Sequence, residues 1–272
     1  MRIERLSPAL ERAALDYLSH APYDNVLLSH LILFDRSPST RQAMVAVTDG
    51  ERVRAIAYFG RQLVLAGDPD ALPALAEHAN RRHGERMICG PREAVTAFWE
   101  LIRGRRSAPR LVRDRQLVMA IDRARLRPYP HSVAVRRARP NEWRTVADSS
   151  AAMIEGELAY DPRRTSREFA ATVRAMIERD RWWVGEAEDR LCFFCSIGPW
   201  CRITVQLQGV WTPPELRGCG FASAALAAIC DGLLDAPAPT LSLHVNDFNR
   251  AAIALYRHVG FEHVSDYQTI LF

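Results

Sequence analysis

GVWTPPELRGCGFA, from Gly209 to Ala222, carries a strand into a helix through a turn of small residues. Upstream, Ile203 to Trp211 is rich in β-branched and aromatic residues without a helical period, which predicts a strand. Pro213 and Pro214 then forbid further ladder pairing. Downstream, Ala222, Leu226, Ile229 and Leu233 recur at helical spacing and predict a buried helix face. A helix N-terminus presents unpaired N–H groups at the positive end of its dipole. The turn Arg217-Gly218-Cys219-Gly220-Phe221-Ala222 is therefore suited to holding a phosphate.

Three phosphate-binding patterns compete for this turn. A P-loop needs a lysine after its last glycine, and the chain contains no lysine. A dinucleotide fingerprint needs a third glycine, where Ser223 stands. The third pattern, Arg/Gln-x-x-Gly-x-Gly/Ala, is met by Arg217, Gly220 and Ala222. It resembles the acetyl-CoA pyrophosphate loop of the GNAT superfamily of N-acetyltransferases. Further on, Leu241 to Val245 predicts a strand, and NDFNRAAIALYRHVGF runs from Asn246 to Phe261. Asn249 is a good N-cap and Gly260 a good C′ residue; Asn249, Ala252 or Ile253, and Tyr256 share one helix face. This block is similar to the last segment of GNAT enzymes, in which a strand, an Asn, a Tyr-bearing helix, Gly-Phe and a closing strand follow one another.

The resemblance implies an acyltransferase with acetyl-CoA as co-substrate and no metal. It assigns cofactor binding to Val210, Trp211, Thr212, Arg217, Gly218, Cys219, Gly220, Phe221, Ala222 and Asn249. Tyr256 becomes the catalytic acid beside the CoA sulfur, and a backbone N–H at Val210 to Thr212 serves a developing oxyanion. A glutamate often supplies the base from the strand before the loop, but Gln206 and Gln208 stand there. Glu157 is the substitute. It lies in AAMIEGELAYDPRR with Glu155, Tyr160 and Asp161, a segment expected to be the loop lining the acceptor site. The acceptor is a small-molecule amine or a protein lysine.

The chain has 272 residues, 48% of them hydrophobic, which suits one large or two modest domains with real cores. The net charge of +4 fits an anionic cofactor and does not call for nucleic acid. Arg103, Arg105 and Arg106, and then Arg136, Arg137 and Arg139, form short clusters that read as solvated surface. No apolar run approaches a membrane span, and MRIERLSPAL lacks the apolar core of a signal peptide. Among six cysteines, Cys192 and Cys195 form the one close pair, but odd spacing on a strand sends them to opposite faces. These features predict no zinc or disulfide framework and a reducing cytoplasm. Cys219, at a helix start, is either a redox-sensitive thiol or a filler.

In the first half, helices are predicted over Pro8–Leu18 and Asn25–Phe34, and strands over Ala43–Thr48 and Val53–Phe59 about the turn Asp49-Gly50. Gln62–Ala66 extends that sheet, Leu72–Arg82 is helical and Arg86–Cys89 is a short strand. Pro91 opens a helix at its first position, and Leu111–Asp122 is a closing strand. Arg123–His131, with two prolines, reads as a linker. The second half begins with a strand at Val133–Arg137 and helices from Pro140 and Ser166.

The order of elements in the first half matches the second but lacks the glycine turn. The layout is similar to bacterial tandem acetyltransferases with a diverged N-terminal lobe. The expected fold is α/β, with two GNAT-like lobes, each a mostly antiparallel mixed sheet flanked by helices. Residues 1–122 form the first lobe, 123–131 the linker and 132–272 the catalytic lobe. The other readings are an unrelated first domain that shapes substrate access or a homodimer interface, and a catalytically silent acyl-CoA sensor or interaction protein.

Overall fold

The structure, a computed structural model, describes residues 1–82, 84–129, 133–234 and 239–272. The first half contains β1 (Arg2–Arg5), α1 (Pro8–Ser19), α2 (Val26–Phe34), α3 (Pro38–Ala43), β2 (Met44–Asp49), β3 (Arg52–Phe59), β4 (Gln62–Gly67), α4 (Leu72–Ala79), β5 (Met87–Pro91), α5 (Arg92–Ile102) and β6 (Leu111–Asp122). The second contains β7 (Ala134–Arg137), α6 (Trp143–Leu158), α7 (Pro162–Thr165), α8 (Phe169–Glu178), β8 (Trp182–Ala187), β9 (Arg190–Trp200), β10 (Thr204–Trp211), α9 (Phe221–Leu234), β11 (Thr240–Asn246), α10 (Arg250–Val259) and β12 (Glu262–Leu271). The two halves repeat one plan, and each contains one parallel strand pair, β4 with β5 and β10 with β11. All other pairings are antiparallel.

The described strands form one sheet in the order β1-β2-β3-β4-β5-β12-β6-β11-β10-β9-β8-β7. The last strand of each half is exchanged: β12 lies between β5 and β6, and β6 lies between β12 and β11. The first lobe is thus closed by the chain's final strand, and the second by Leu111–Asp122. Four apolar clusters hold helices to the sheet. Phe98, Leu72 and Leu75 of α4 and α5 pack on one face of the first lobe, and Leu18, Leu28 and Ile32 of α1 and α2 on the other. In the second lobe α9 and α10 cover Met119, Phe193 and Leu243, while α6 and α8 cover Trp182 and Phe194.

Several expectations change. Pro91 is the N-cap of α5 and the last residue of β5, paired with Tyr267, so it stands before the first helical position. α6 continues to Leu158, stopped only by Ala159 in the left-handed region at φ 56°; Glu155 and Glu157 therefore sit on its final turns and not in a loop. Cys192 and Cys195 are both buried in the cluster beneath α9, because a register shift between Gly185 and Glu186 on β8 breaks the alternation of β9 around Cys192. Arg106 is not solvated: it pairs with buried Glu85 at 2.6 Å and donates to the Ala79 carbonyl. Arg136 bridges Glu142 and Glu186, and Arg137 lies 3.9 Å over the Trp183 ring. Of the expected linker, Pro130 and His131 lie outside the described residues. Arg125 and Leu126 donate backbone N–H bonds to Asp122, and Leu126 and Tyr129 pack on the core beneath α9.

Candidate active site

β10 and β11 pair only at Thr204–Gln206 with Thr240–Ser242; beyond that they part. The cause lies in β10 itself. Gly209 takes φ 62°, and the register on β9 slips between Gln208 and Trp211. A side chain at Gly209 would meet the Trp182 ring at 3.3 Å. Past the bulge, Pro213 cannot pair, and a single 3₁₀ turn at Pro214–Leu216 leads into the glycine turn. Gly218 and Gly220 both adopt left-handed φ, 79° and 83°, which turns successive backbone N–H groups to one side before α9 begins. The N–H groups of Gly218, Cys219, Gly220, Phe221, Ala222 and Ser223 meet no acceptor among the described residues. Arg217 donates from Nε to the Thr212 carbonyl at 3.0 Å, which pins its guanidinium beside the turn.

A cavity of about 580 Å³ lies against this turn. Its walls come from β10, the glycine turn, α6 and the first two turns of α10. Asn249 caps α10 by accepting from the Ala252 N–H at 3.2 Å, so the same side chain fixes the helix start and borders the cavity. A second, smaller cavity of about 290 Å³ adjoins it on the side of the first lobe. Both are bordered by Met153, Glu157, Val210 and Tyr256. Among the described residues, these four form the wall common to the two cavities.

Residues 145–261 match the family model described as Acetyltransferase (GNAT) family. The second lobe is a GNAT acetyltransferase domain. Residues 42–146 match a model described as Domain of unknown function (DUF4081), which spans most of the first lobe. Solved structures share the fold over both lobes. A Drosophila protein aligns at TM-score 0.72 and 14% identity, covering 99% of this chain and 98% of its own. A GCN5-related N-acetyltransferase from Sphaerobacter thermophilus aligns at 0.62 and 16%, covering 99% and 94%. A tandem GNAT protein from the clavulanic acid biosynthesis pathway aligns at 0.56 and 16%, covering 98% and 97%. No curated protein sequence matches the chain.

Within the GNAT domain, Val210, Trp211, Thr212, Arg217, Gly218, Gly220, Phe221, Ala222 and Asn249 all border the larger cavity. Cys219 does not. Its side chain is exposed and contacts the Arg217 carbonyl at 3.7 Å, so its part in the turn is its backbone N–H. Tyr256 is buried with its ring 5.9 Å from Phe261, yet its hydroxyl has no hydrogen-bond partner among the described residues. Burial, and to a smaller degree the neighbouring Cys195 thiol and Glu157 carboxylate, push its pKa well above that of free tyrosine. The phenol is protonated at neutral pH. Of Glu155, Glu157, Tyr160 and Asp161, only Glu157 borders the cavities. Asp161 caps α7 and holds Arg163, while Tyr160 stacks under Arg110 at 4.7 Å.

The inner cavity brings in residues that sequence reasoning missed. Asp24, just before α2, and Arg113 and Gln116 of β6 reach it from the first half; His244, Tyr267 and Thr269 reach it from β11 and β12. Gln206 and Gln208 share a face of β10, as their spacing requires, and form a chain: Gln208 donates to Gln206 at 2.9 Å, and Gln206 lies 3.1 Å from His244. His244 is half-buried, and its desolvation lowers its pKa to about 4 and keeps the ring neutral. Arg113 donates from Nε to Asn246 at 2.7 Å and stands 3.9 Å from Glu157. The only local signal was the polar run Arg113 to Gln116 in a strand whose second half, from Leu117, is apolar.

Proposed function

We propose that the protein is an acetyl-CoA-dependent N-acetyltransferase, with the CoA arm in the larger cavity and the acceptor amine in the inner one. The observation that carries this reading is the shared wall of Met153, Glu157, Val210 and Tyr256 between the two cavities. The unpaired N–H groups of the glycine turn, at the start of a helix without acidic residues in its first turn, suit the pyrophosphate. The Val210 N–H, where β10 leaves β11, serves the oxyanion that forms when the amine attacks the thioester carbonyl. As the C–N bond forms, Glu157 takes the amine proton, directly or through water; as the C–S bond breaks, Tyr256 gives its proton to the departing thiolate. Residues 1–122 and 132–272, about a linker at 123–131, build the two lobes with β6 and β12 exchanged between them, and the first lobe serves as a wall of the acceptor site.

Tyr256→Phe tests the mechanism. The variant keeps its melting temperature and CoA affinity but loses ~10²–10⁴-fold in turnover, because the missing interaction belongs to the transition state. A fully active Tyr256→Phe protein eliminates the acid role. If wild-type protein binds CoA by calorimetry but releases no thiol from acetyl-CoA with any amine, the silent acyl-CoA-binding reading replaces the catalytic one.

A further inference from the structure

The geometry points to a free α-amino acid as the acceptor, its carboxylate held by Arg113 and its amino group presented to Glu157. This inference rests on the acyl-transfer reading above and adds the substrate class. Arg113 is largely buried, with about one-fifth of its side chain exposed. A guanidinium has five N–H donors in a planar fork. Arg113 spends one, from Nε, on Asn246; its four Nη donors reach no acceptor within hydrogen-bond distance among the described residues, Glu157 being 3.9 Å away. A desolvated guanidinium with unspent donors beside a cavity is a carboxylate receptor in waiting.

The pairing with Glu157 narrows the class. A zwitterionic amino acid carries its ammonium and carboxylate on one carbon, so it fits antiparallel against a cation and an anion set side by side. Glu157 borders both cavities, so the amino group it attracts arrives at the thioester carbonyl. A protein lysine presents its amine with no carboxylate nearby and leaves the Arg113 donors unspent. A phosphorylated amine brings a second negative charge into a cavity that Asp24 and Glu157 also line, with the one guanidinium of Arg113 to offset it. The volume of about 290 Å³ holds a small molecule and little more. Gln206, Gln116 and Thr269, held by bonds to Gln208, to His244 and to one another, line the rest of the cavity, where the amino-acid side chain lies.

The test is thiol release from acetyl-CoA by the full-length chain, with each of the twenty amino acids offered as free acid and as C-terminal amide, and a lysine-containing peptide beside them. At least one free acid is expected to exceed its own amide in kcat/KM on the order of 100-fold, the worth of a charge-assisted bidentate contact. In Arg113→Gln that ratio collapses toward one, chiefly through KM for the acid, while Arg113→Lys keeps part of it; CoA binding by calorimetry shows that each variant is folded. If the amide or the peptide serves as well as the acid, or if CoA binds and no free amino acid is acetylated, the inference fails while the CoA reading stands. Absence of CoA binding to wild-type protein overturns both.

Discussion

At the scale of single residues, the site depends on backbone conformations and protonation states set by immediate surroundings. Gly220 holds φ 83° in the turn, and a side chain there would also reach the Tyr129 hydroxyl at 3.3 Å. Gly220→Val is expected to weaken CoA binding at least tenfold and to destabilise the fold by about 1–2 kcal/mol through left-handed strain. Calorimetry with CoA and thermal melting read the two effects separately. Unchanged CoA affinity in a folded variant removes the turn from the cofactor site. His244 is one contributor to acid stability. Its folded pKa of about 4 lies below the ordinary value of 6.5, so between those values the unfolded chain binds a proton that the native chain refuses. Stability therefore has no contribution from His244 above pH 6.5 and falls as pH drops toward 4, by about 3 kcal/mol in all. Urea unfolding at a series of pH values checks the sign, and His244→Gln flattens that part of the curve.

At the scale of elements, a buried ion pair ties the end of the first lobe together. Arg106, after α5, pairs with Glu85, before β5, and its guanidinium also satisfies the Ala79 and Arg82 carbonyls at the end of α4. Arg106→Met leaves Glu85 buried without its partner and is expected to cost about 3–5 kcal/mol; Arg106→Met with Glu85→Gln recovers much of it. Urea denaturation of the three proteins gives the comparison. Elements of this kind were legible in the sequence to differing depth. The glycine turn, α9 and α10 were readable because caps, prolines and apolar periods all act within a few residues. β6 was readable over its full length, but its neighbours were not, since pairing with Thr240–Asn246 and Glu262–Leu271 is set by contacts over a hundred residues away. β1 was missed because Arg2–Arg5 is a mostly exposed edge strand without apolar alternation. The end of α6 was misread: the segment from Ala151 was expected to be a loop, whereas the helix runs on through Gly156 to a left-handed Ala159. The acceptor cavity was largely hidden for the reason β6 was: its walls meet only after the strands are exchanged.

At the scale of the whole molecule, one CoA per chain is expected. The turn in the first lobe that corresponds to the glycine turn is Asp68-Pro69-Asp70, placed before α4 and engaged with Arg54 through both carboxylates. Acidic groups at that helix start repel a pyrophosphate. A calorimetric stoichiometry near two contradicts this. The exchanged strands also join the lobes thermodynamically, since removing either half takes a central strand from the other. Calorimetry of the full chain is expected to give one cooperative transition, and residues 1–122 expressed alone to lack one; two separate melts would show the lobes to be independent. The exchange bears as well on how the protein is made. β5 ends at Pro91, and its partner β12 ends at Leu271, so the ribosome adds 180 residues, 271 less 91, between the two. At ~5–20 residues per second the nascent first lobe waits roughly 10–35 s with the β5 edge unpaired. That edge is an open template for β-pairing between neighbouring chains on a polysome. Slower translation of the second half is therefore expected to lower the fraction recovered as folded chain, and added chaperone to raise it.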